Sequence, residues 1–306
     1  MSSVVRFSPD LSAWLVERLD QGHTAEALID VMVGQRMDVH VASAIVTEFV
    51  AARAQGRKVP VDSLVIDDPA EFEYEKPILE AAARIQVGER TVRVLSRVDR
   101  PVLVVFADVL SAEECAELIA LARPRLTPST IVHPATGRDM VAAHRTSLGM
   151  FFRLEENALI AGLDRRISEL MRLPLENGEG FQVLCYPAGA ETKAHFDFLQ
   201  ASNDANRASI ARSGQRVSTL IAYLNDVDHG GETVFPRLGL SVLPQRGNAV
   251  YFEYCNSRGQ VDPSSLHGGN PVLNGEKWVL TKWMRQHRFV SASEASSDGM
   301  LDYAGA

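Results

Sequence analysis

Two histidines, one aspartate and one lysine are the residues of this chain whose types and spacing could do chemistry. His195 and Asp197 are two positions apart, so on a β-strand both side chains point to the same face and could bind one metal ion. His267 and Lys277 follow much later in the chain. Two imidazoles and one carboxylate are the ligand set of mononuclear non-haem Fe(II) centres, so the pattern predicts an iron site.

The elements that must position these residues are short strands. After Gly178 the sequence alternates short apolar segments with Gly, Pro and Asn turns, which is typical of a jelly roll or sandwich. In such a double-stranded β-helix an early and a late strand lie side by side, so His267 can complete the ligand set of His195 and Asp197. We expect strands over residues 181–187, 190–195, 217–224, 232–236, 240–243, 248–253, 265–267 and 276–284.

Lys277 begins the last predicted strand, across the Asn274-Gly275 dipeptide that predicts a tight hairpin. A hairpin lysine is ordinarily solvated, and this is the structural alternative for Lys277. A lysine that enters a barrel interior instead needs an anion, because burying an unpaired ammonium is costly. A carboxylate of a bound dicarboxylate would satisfy it, and the hydroxyls of Tyr186 and Thr219 are expected to point to the same region.

The chain of 306 residues divides into four segments by residue composition and hydrophobic pattern. Residues 1–56 carry three amphipathic patterns and predict a small N-terminal α-helical domain. Residues 57–90 predict an acidic linker with a short helix near 77–85. Residues 91–290 predict a mainly β catalytic domain with flanking helices, and 291–306 a flexible tail. The N-terminal helices can bury little core alone, so we expect them to pack on the main domain or on a second copy, giving a homodimer.

Composition narrows the class of protein. Hydrophobic residues make up 46% of the chain and charged residues 23%, an ordinary globular mixture. The formal net charge of -8 argues against non-specific nucleic-acid binding. The three cysteines are widely spaced without a CxxC motif, which favours reduced thiols. With no apolar leader at the N-terminus and no run of membrane length, we expect a cytoplasmic protein without a membrane partner.

Residues from about 100 to 286 resemble the prolyl 4-hydroxylase family of 2-oxoglutarate- and Fe(II)-dependent dioxygenases. The matches occur in the family's order along the chain, which makes the resemblance far more specific than a lone HxD. They are Arg145-Thr146-Ser147, Tyr186-Pro187-Ala188-Gly189, His195-Phe196-Asp197-Phe198, the stretch 215–225, Gly230-Gly231-Glu232-Thr233-Val234-Phe235-Pro236, His267-Gly268-Gly269-Asn270-Pro271-Val272, and the stretch 275–283.

By that resemblance His195, Asp197 and His267 bind iron, and Lys277 holds the distal carboxylate of 2-oxoglutarate with help from Tyr186 and Thr219. The implied reaction couples oxidative decarboxylation of 2-oxoglutarate by O2, giving succinate and CO2, to hydroxylation of a C–H bond. Ascorbate is a candidate reductant.

The resemblance also implies substrate contacts at Arg145 and Trp283. Their structural alternatives are a surface ion pair and a core aromatic. The histidine common in the family two residues after the last tryptophan is Arg285 here, which leaves the usual substrate contacts open. The segment 198–215 is too long for a hairpin loop and predicts a lid or a disordered loop.

Several functions stay open at the level of the sequence. The first is hydroxylation of a prolyl residue in a peptide or protein. The second keeps the cofactors but acts on a free amino acid or a small natural-product intermediate. A third is a non-catalytic, cupin-type metal-binding module, which would keep the three ligands but need no anion at Lys277. A fourth is an oxygen sensor in which the N-terminal helices bind the partner.

Overall fold

The computed structural model describes residues 2–35, 37–67, 72–128, 130–132, 139–141, 147–201 and 204–291. The chain forms two compact units. The first comprises Met1–Phe72 with Ile131–Met140 and Gln200–Ala208, and the second comprises Glu73–Thr130, Val141–Leu199 and Ser209–Ala306. The first boundary, after Phe72, therefore lies inside the segment predicted as a linker.

The first unit contains the three expected helices, each begun by a side-chain cap. Ser8, Thr24 and Asp38 accept hydrogen bonds from the first-turn amides of the three helices. A two-stranded antiparallel ribbon, which the sequence did not suggest, joins the beginning of the chain to residues after the helices. The elements are β1 (Ser2–Arg6), α1 (Pro9–Asp20), α2 (Ala25–Gly34), α3 (Val39–Ala54) and β2 (Ser63–Asp67).

The second unit is mainly strands. All eight strands expected after Gly178 are present, with ends that differ by one or two residues in most cases. Its elements are β3 (Arg84–Val87), β4 (Arg90–Asp99), β5 (Val102–Ala107), α4 (Ala112–Ala122), β6 (Thr127–Pro128), β9 (Leu148–Phe151), α5 (Ala158–Leu170), β10 (Gln182–Pro187), β11 (Thr192–His195), β12 (Arg216–Tyr223), β13 (Thr233–Phe235), β14 (Leu240–Val242), β15 (Ala249–Glu253), β16 (His267–Gly269) and β17 (Glu276–Arg285). Three further elements contain residues assigned to both units, namely β7 (Thr130–Val132), β8 (Asp139–Val141) and α6 (Asp204–Ser213).

Two antiparallel sheets dominate this unit. In the part of the chain that the structure describes, the larger sheet has the order β3-β4-β5-β15-β12-β17-β10-β9-β6, and the smaller has the order β11-β16-β13-β14. Strand β17 lies in the middle of the larger sheet, and nine of its ten residues are buried. A continuous apolar core runs through the unit from Leu79 to Met284. The predicted fold class, a jelly roll with flanking helices and N-terminal helices, is confirmed.

Two segments differ from the local expectations. The helix expected near 77–85 is absent: the carboxylate of Glu253 accepts the amides of Ile78 and Leu79, and Ile85 already pairs with Val92 in a strand. The segment 198–215, expected to be a lid or a disordered loop, contains a helix, α6. Side chains from elsewhere hold the end of α6, since the Arg285 guanidinium donates to the carbonyls of Ser209 and Gly214.

Two further observations bear on the expectations from composition. The three cysteines are free and buried, as expected for reduced thiols. No helix in the described ranges is both long and apolar enough to cross a membrane.

Candidate active site

The three predicted metal ligands come together at the β11 edge of the smaller sheet. His195 is the last residue of β11, His267 is the first residue of β16, and the two are direct partners in the antiparallel register. Asp197 follows two residues after His195. One donor atom from each of the three residues lies within 4.8 Å of the others. This is the open two-histidine, one-carboxylate set expected of a mononuclear iron centre.

Main-chain carbonyls fix the tautomer of both histidines. Nδ1 of His195 lies 2.9 Å from the carbonyl oxygen of Lys193, and Nδ1 of His267 lies 3.0 Å from that of Ser265. Because a carbonyl can only accept, each Nδ1 carries the proton and each Nε2 keeps its lone pair. The two Nε2 atoms lie 3.6 Å and 3.5 Å from the oxygens of Asp197. All three side chains therefore offer a metal donor to the same point.

The protonation states suit a metal ion. Burial lowers the pKa of His267 to about 4, so its ring is neutral at physiological pH. Burial alone would raise the pKa of Asp197, but His267, His195 and the guanidinium of Arg216 hold it well below its usual range. The site thus offers one carboxylate and a neutral imidazole without having to release protons from them first.

Thr219 takes a different place from the one expected. Its hydroxyl donates to Oδ2 of Asp197 at 2.7 Å and lies 2.9 Å from the hydroxyl of Tyr254. Thr219 is fully buried and is not among the described residues that line the cavity beside the metal ligands. The geometry therefore favours a contact to Asp197 over the predicted contact to 2-oxoglutarate.

Lys277 lies inside the barrel and lines this cavity. It pairs with Tyr186 across β10 and β17, and its ammonium lies 5.5 Å from the Tyr186 ring centre. In the described residues its Nζ has no hydrogen-bond or ion-pair partner, although the charge of Glu232 acts on it from a distance. Burial lowers its pKa to about 8. A buried cation of this kind fits a ligand that brings its own carboxylate.

Three cross-strand pairs of β10 and β17 line the cavity. Inward residues alternate along the two strands and give the pairs Tyr186–Lys277, Leu184–Val279 and Gln182–Thr281. This row is therefore cationic at the Lys277 end, apolar in the middle and polar at the other end. It suits a ligand whose anionic group is bound at the Lys277 end and whose less polar part lies against the apolar pair.

Two hydroxyl pairs line or support the Lys277 end. Thr192 donates to the hydroxyl of Tyr186 at 2.9 Å, and the hydroxyl of Tyr223 donates to Thr233 at 2.8 Å. Thr192 and Thr233 both line the cavity, and the sequence reasoning missed them. The nearby Gly230-Gly231 pair could have drawn attention to Thr233, because at these glycines the chain closely approaches Pro271 and the Lys277 side chain.

Trp283, one of the two predicted substrate contacts, also lines the cavity. The Arg216 guanidinium stacks on its indole at 4.1 Å and forms two hydrogen bonds to Glu179, of 2.7 Å and 2.8 Å. The Arg285 guanidinium also binds Glu179, at 3.1 Å. The position at which the family commonly has a histidine is therefore occupied by an ion pair. The other predicted contact, Arg145, lies outside the described residues.

Comparisons with known proteins agree with this site. Residues 181–285 match the family model described as the 2OG-Fe(II) oxygenase superfamily. Prolyl 4-hydroxylase 5 of Arabidopsis thaliana is 41% identical over 222 residues, covering 66% of this chain and 74% of the relative. Prolyl 4-hydroxylase 1 of the same plant is 43% identical over 201 residues, covering 61% and 69%.

A solved structure, the viral collagen prolyl hydroxylase of Paramecium Bursaria Chlorella virus-1 in complex with 2OG, is 25% identical with a TM-score of 0.48, covering 60% of this chain and 95% of that one.

The match to the family model, the two plant relatives and the three metal donors confirm the predicted family, the class of enzyme and the cofactors, which are Fe(II), 2-oxoglutarate and O2. The matched residues include the three candidate ligands and Lys277. The chain belongs to the prolyl 4-hydroxylase family of 2-oxoglutarate- and Fe(II)-dependent oxygenases.

Proposed function

We propose that this protein hydroxylates a prolyl residue in a peptide or protein, with His195, Asp197 and His267 as the iron ligands. Lys277 binds the distal carboxylate of 2-oxoglutarate, and the Tyr186 hydroxyl adds a hydrogen bond. Bound Fe(II), with 2-oxoglutarate and O2, supplies the oxidising chemistry. The chain's own residues bind and orient the reactants and keep water away from them.

The observation that carries the proposal is the buried ammonium of Lys277, which has no anionic partner among the described residues and lines the same cavity as the three metal donors. In the described ranges its Nζ has no anion within hydrogen-bond distance, and an ammonium in that state is costly. A dicarboxylate that also reaches the metal ligands removes this cost. A metal-binding module without catalysis would have no use for such a residue.

The substrate is a peptide rather than a free amino acid. Among the described residues that line the cavity, Asp197 is the one carboxylate, and it is used as a metal ligand. A free amino acid would bring an ammonium group for which this lining has no other anionic partner. In a peptide both the nitrogen and the carboxyl carbon are in neutral amides. The names of the relatives, prolyl 4-hydroxylases, support a prolyl residue as the target.

Several finer predictions belong to the same proposal. The mainly β segment 91–290 is the catalytic domain, residues 1–56 form a helical domain that pairs two copies of the chain, 57–90 connect them, and 291–306 form a tail. Trp283, with Arg145, contacts the substrate. Ascorbate restores enzyme that has been oxidised without substrate, and the protein acts in the cytoplasm.

Mass spectrometry of a peptide product tests the proposal. The purified enzyme is incubated with Fe(II), 2-oxoglutarate and either proline-rich peptides or free amino acids. We expect a gain of one oxygen on a peptidyl proline, with succinate formed in equal amount. Both His195→Ala and Asp197→Ala should remove this activity together with Fe(II) binding. Oxygen gained by a free amino acid, with the peptides unchanged, would contradict the proposed substrate.

A further inference from the structure

Two buried hydroxyls lie one behind the other beside the iron ligand Asp197. The Thr219 hydroxyl lies 2.7 Å from Oδ2 of Asp197, and the Tyr254 hydroxyl lies 2.9 Å from that of Thr219. Thr219 is 0% exposed and Tyr254 is 1% exposed, so bulk water does not compete for either group. Hydrogen bonds in such surroundings are stronger than at a surface.

The direction of these hydrogen bonds follows from the chemistry of the groups. An ionised carboxylate can only accept, so the single hydroxyl proton of Thr219 is donated to Asp197. Thr219 then has no proton left for Tyr254, and the phenol must donate to the threonine oxygen. Both protons therefore point toward Asp197, and each hydrogen bond polarises the next.

The fold fixes both hydroxyls independently of any ligand. Thr219 lies on β12, between Phe252 of β15 and Trp283 of β17. The main-chain amide of Tyr254 donates to the carbonyl of Val217 at 3.0 Å, which continues the pairing of β15 with β12 by one step. The Tyr254 ring also contacts Phe198, the residue after Asp197, with ring centres 6.3 Å apart.

We propose that Thr219 and Tyr254 are positioning residues that orient the Asp197 carboxylate for binding the metal ion. Thr219 occupies a lone pair of Oδ2 and so restricts the rotation of the carboxylate. Tyr254 holds the Thr219 hydroxyl in the donating orientation. This inference rests on the proposed function, because it concerns the same iron ligand. It gives Thr219 a role in metal binding instead of the expected contact to 2-oxoglutarate.

Titration of the metal-free protein with Co(II) tests the proposal without turnover. Partners that orient metal ligands typically change affinity about 10- to 100-fold, and we expect this weakening for Thr219→Val. Thr219→Ser keeps the hydroxyl and should bind Co(II) nearly as tightly as the wild type. Tyr254→Phe removes only the second hydrogen bond and should weaken binding roughly 2- to 10-fold. The visible absorption of bound Co(II) should change in Thr219→Val and return in Thr219→Ser.

Tyr251→Phe is the matched control. Tyr251 is on β15, is equally buried, and donates its hydroxyl to Glu253 at 3.0 Å rather than toward Asp197. It should leave the Co(II) affinity unchanged. If Thr219→Val does not fold, as judged by thermal unfolding of the metal-free protein, the comparison of Tyr254→Phe with Tyr251→Phe decides the question.

Two results would overturn the inference and leave the proposed function intact. The first is wild-type Co(II) affinity and absorption in Thr219→Val and Tyr254→Phe, while His195→Ala has lost binding. The second is a Thr219→Val protein that binds Co(II) normally but 2-oxoglutarate weakly, since that is the behaviour of a cosubstrate contact. If His195→Ala also binds Co(II) like the wild type, the iron site itself is wrong.

Discussion

Two lysines on β17 are both buried, yet within the described part of the chain only one of them has an anionic partner. Lys282 Nζ lies 2.7 Å from Oδ1 of Asp164 on α5, and both side chains are fully buried. Lys277, five residues earlier and facing the cavity, has no anion within hydrogen-bond distance among the described residues. The ion pair with Asp164 thus offsets the free-energy cost of burying Lys282. The cost of burying Lys277 would be offset by the carboxylate of a bound ligand. The difference separates a structural cation from one that binds a cosubstrate.

Removing the anionic partner of Lys282 is expected to have the largest effect. Asp164→Asn leaves the Lys282 ammonium buried without its anion, so the free energy of unfolding should fall by about 3–5 kcal/mol. Urea unfolding of the metal-free protein measures this. The double variant Asp164→Leu/Lys282→Met removes both charges and should recover most of the loss. Wild-type stability of Asp164→Asn would show that the ion pair is not needed.

The unpaired lysine should behave in the opposite way. Lys277→Met removes an ammonium that has no partner, so the free energy of unfolding should stay the same or rise. Binding of 2-oxoglutarate should weaken by about 1.5–3 kcal/mol, the usual contribution of a charge-assisted contact. Anaerobic calorimetry on the Fe(II)-loaded enzyme gives the affinity. An unchanged affinity would remove Lys277 from the binding site.

The pH dependence should also distinguish the two lysines. Burial lowers the pKa of Lys277 to about 8, and only the protonated form attracts a carboxylate. The dissociation constant of 2-oxoglutarate should be flat below that pH and then rise about tenfold per pH unit as the lysine loses its proton. Lys277→Met should remove this dependence. A wild-type profile that stays flat up to pH 10 would contradict the pKa and its cause.

The smallest expected effect concerns the hydroxyl beside Lys277. Thr192 donates to the Tyr186 oxygen, so the hydroxyl proton of Tyr186 is left to donate to a ligand. Tyr186→Phe should weaken 2-oxoglutarate binding by about 0.5–1.5 kcal/mol. Tyr251→Phe, a buried tyrosine outside the cavity lining, should leave that affinity unchanged and serves as the control. Equal affinities of the two variants would mean that Tyr186 only packs.

Much of the site could be predicted because its residues follow local rules. The His-x-Asp spacing brings His195 and Asp197 together where β11 ends, and strand alternation places Lys277 on the inward face of β17 beside Tyr186. Both of these features depend on neighbouring residues. Strand boundaries followed from the same alternation and turn signals. The tight hairpin expected at Asn274-Gly275 is wrong, because β16 and β17 lie in different sheets.

Partners that come from distant segments could not be predicted. Only the folded chain shows that the Thr219 hydroxyl donates to Asp197 instead of lining the cavity beside Lys277. Asp164 and Glu179 lie more than a hundred residues from the cations of β17 that they neutralise. Helix α6 has no strong apolar face, and contacts from Arg285 hold its end. Tertiary contacts, rather than local pattern, determine these features.

Discrimination between two oxo acids tests most directly whether Lys277 marks the cosubstrate site. 2-Oxopentanoate has the same oxo acid group as 2-oxoglutarate but lacks the distal carboxylate. Affinities of both compounds are measured anaerobically for the Fe(II)-loaded wild type and Lys277→Met. We predict that the wild type prefers 2-oxoglutarate by at least about tenfold and that Lys277→Met has lost this preference. An undiminished preference in Lys277→Met would contradict the account.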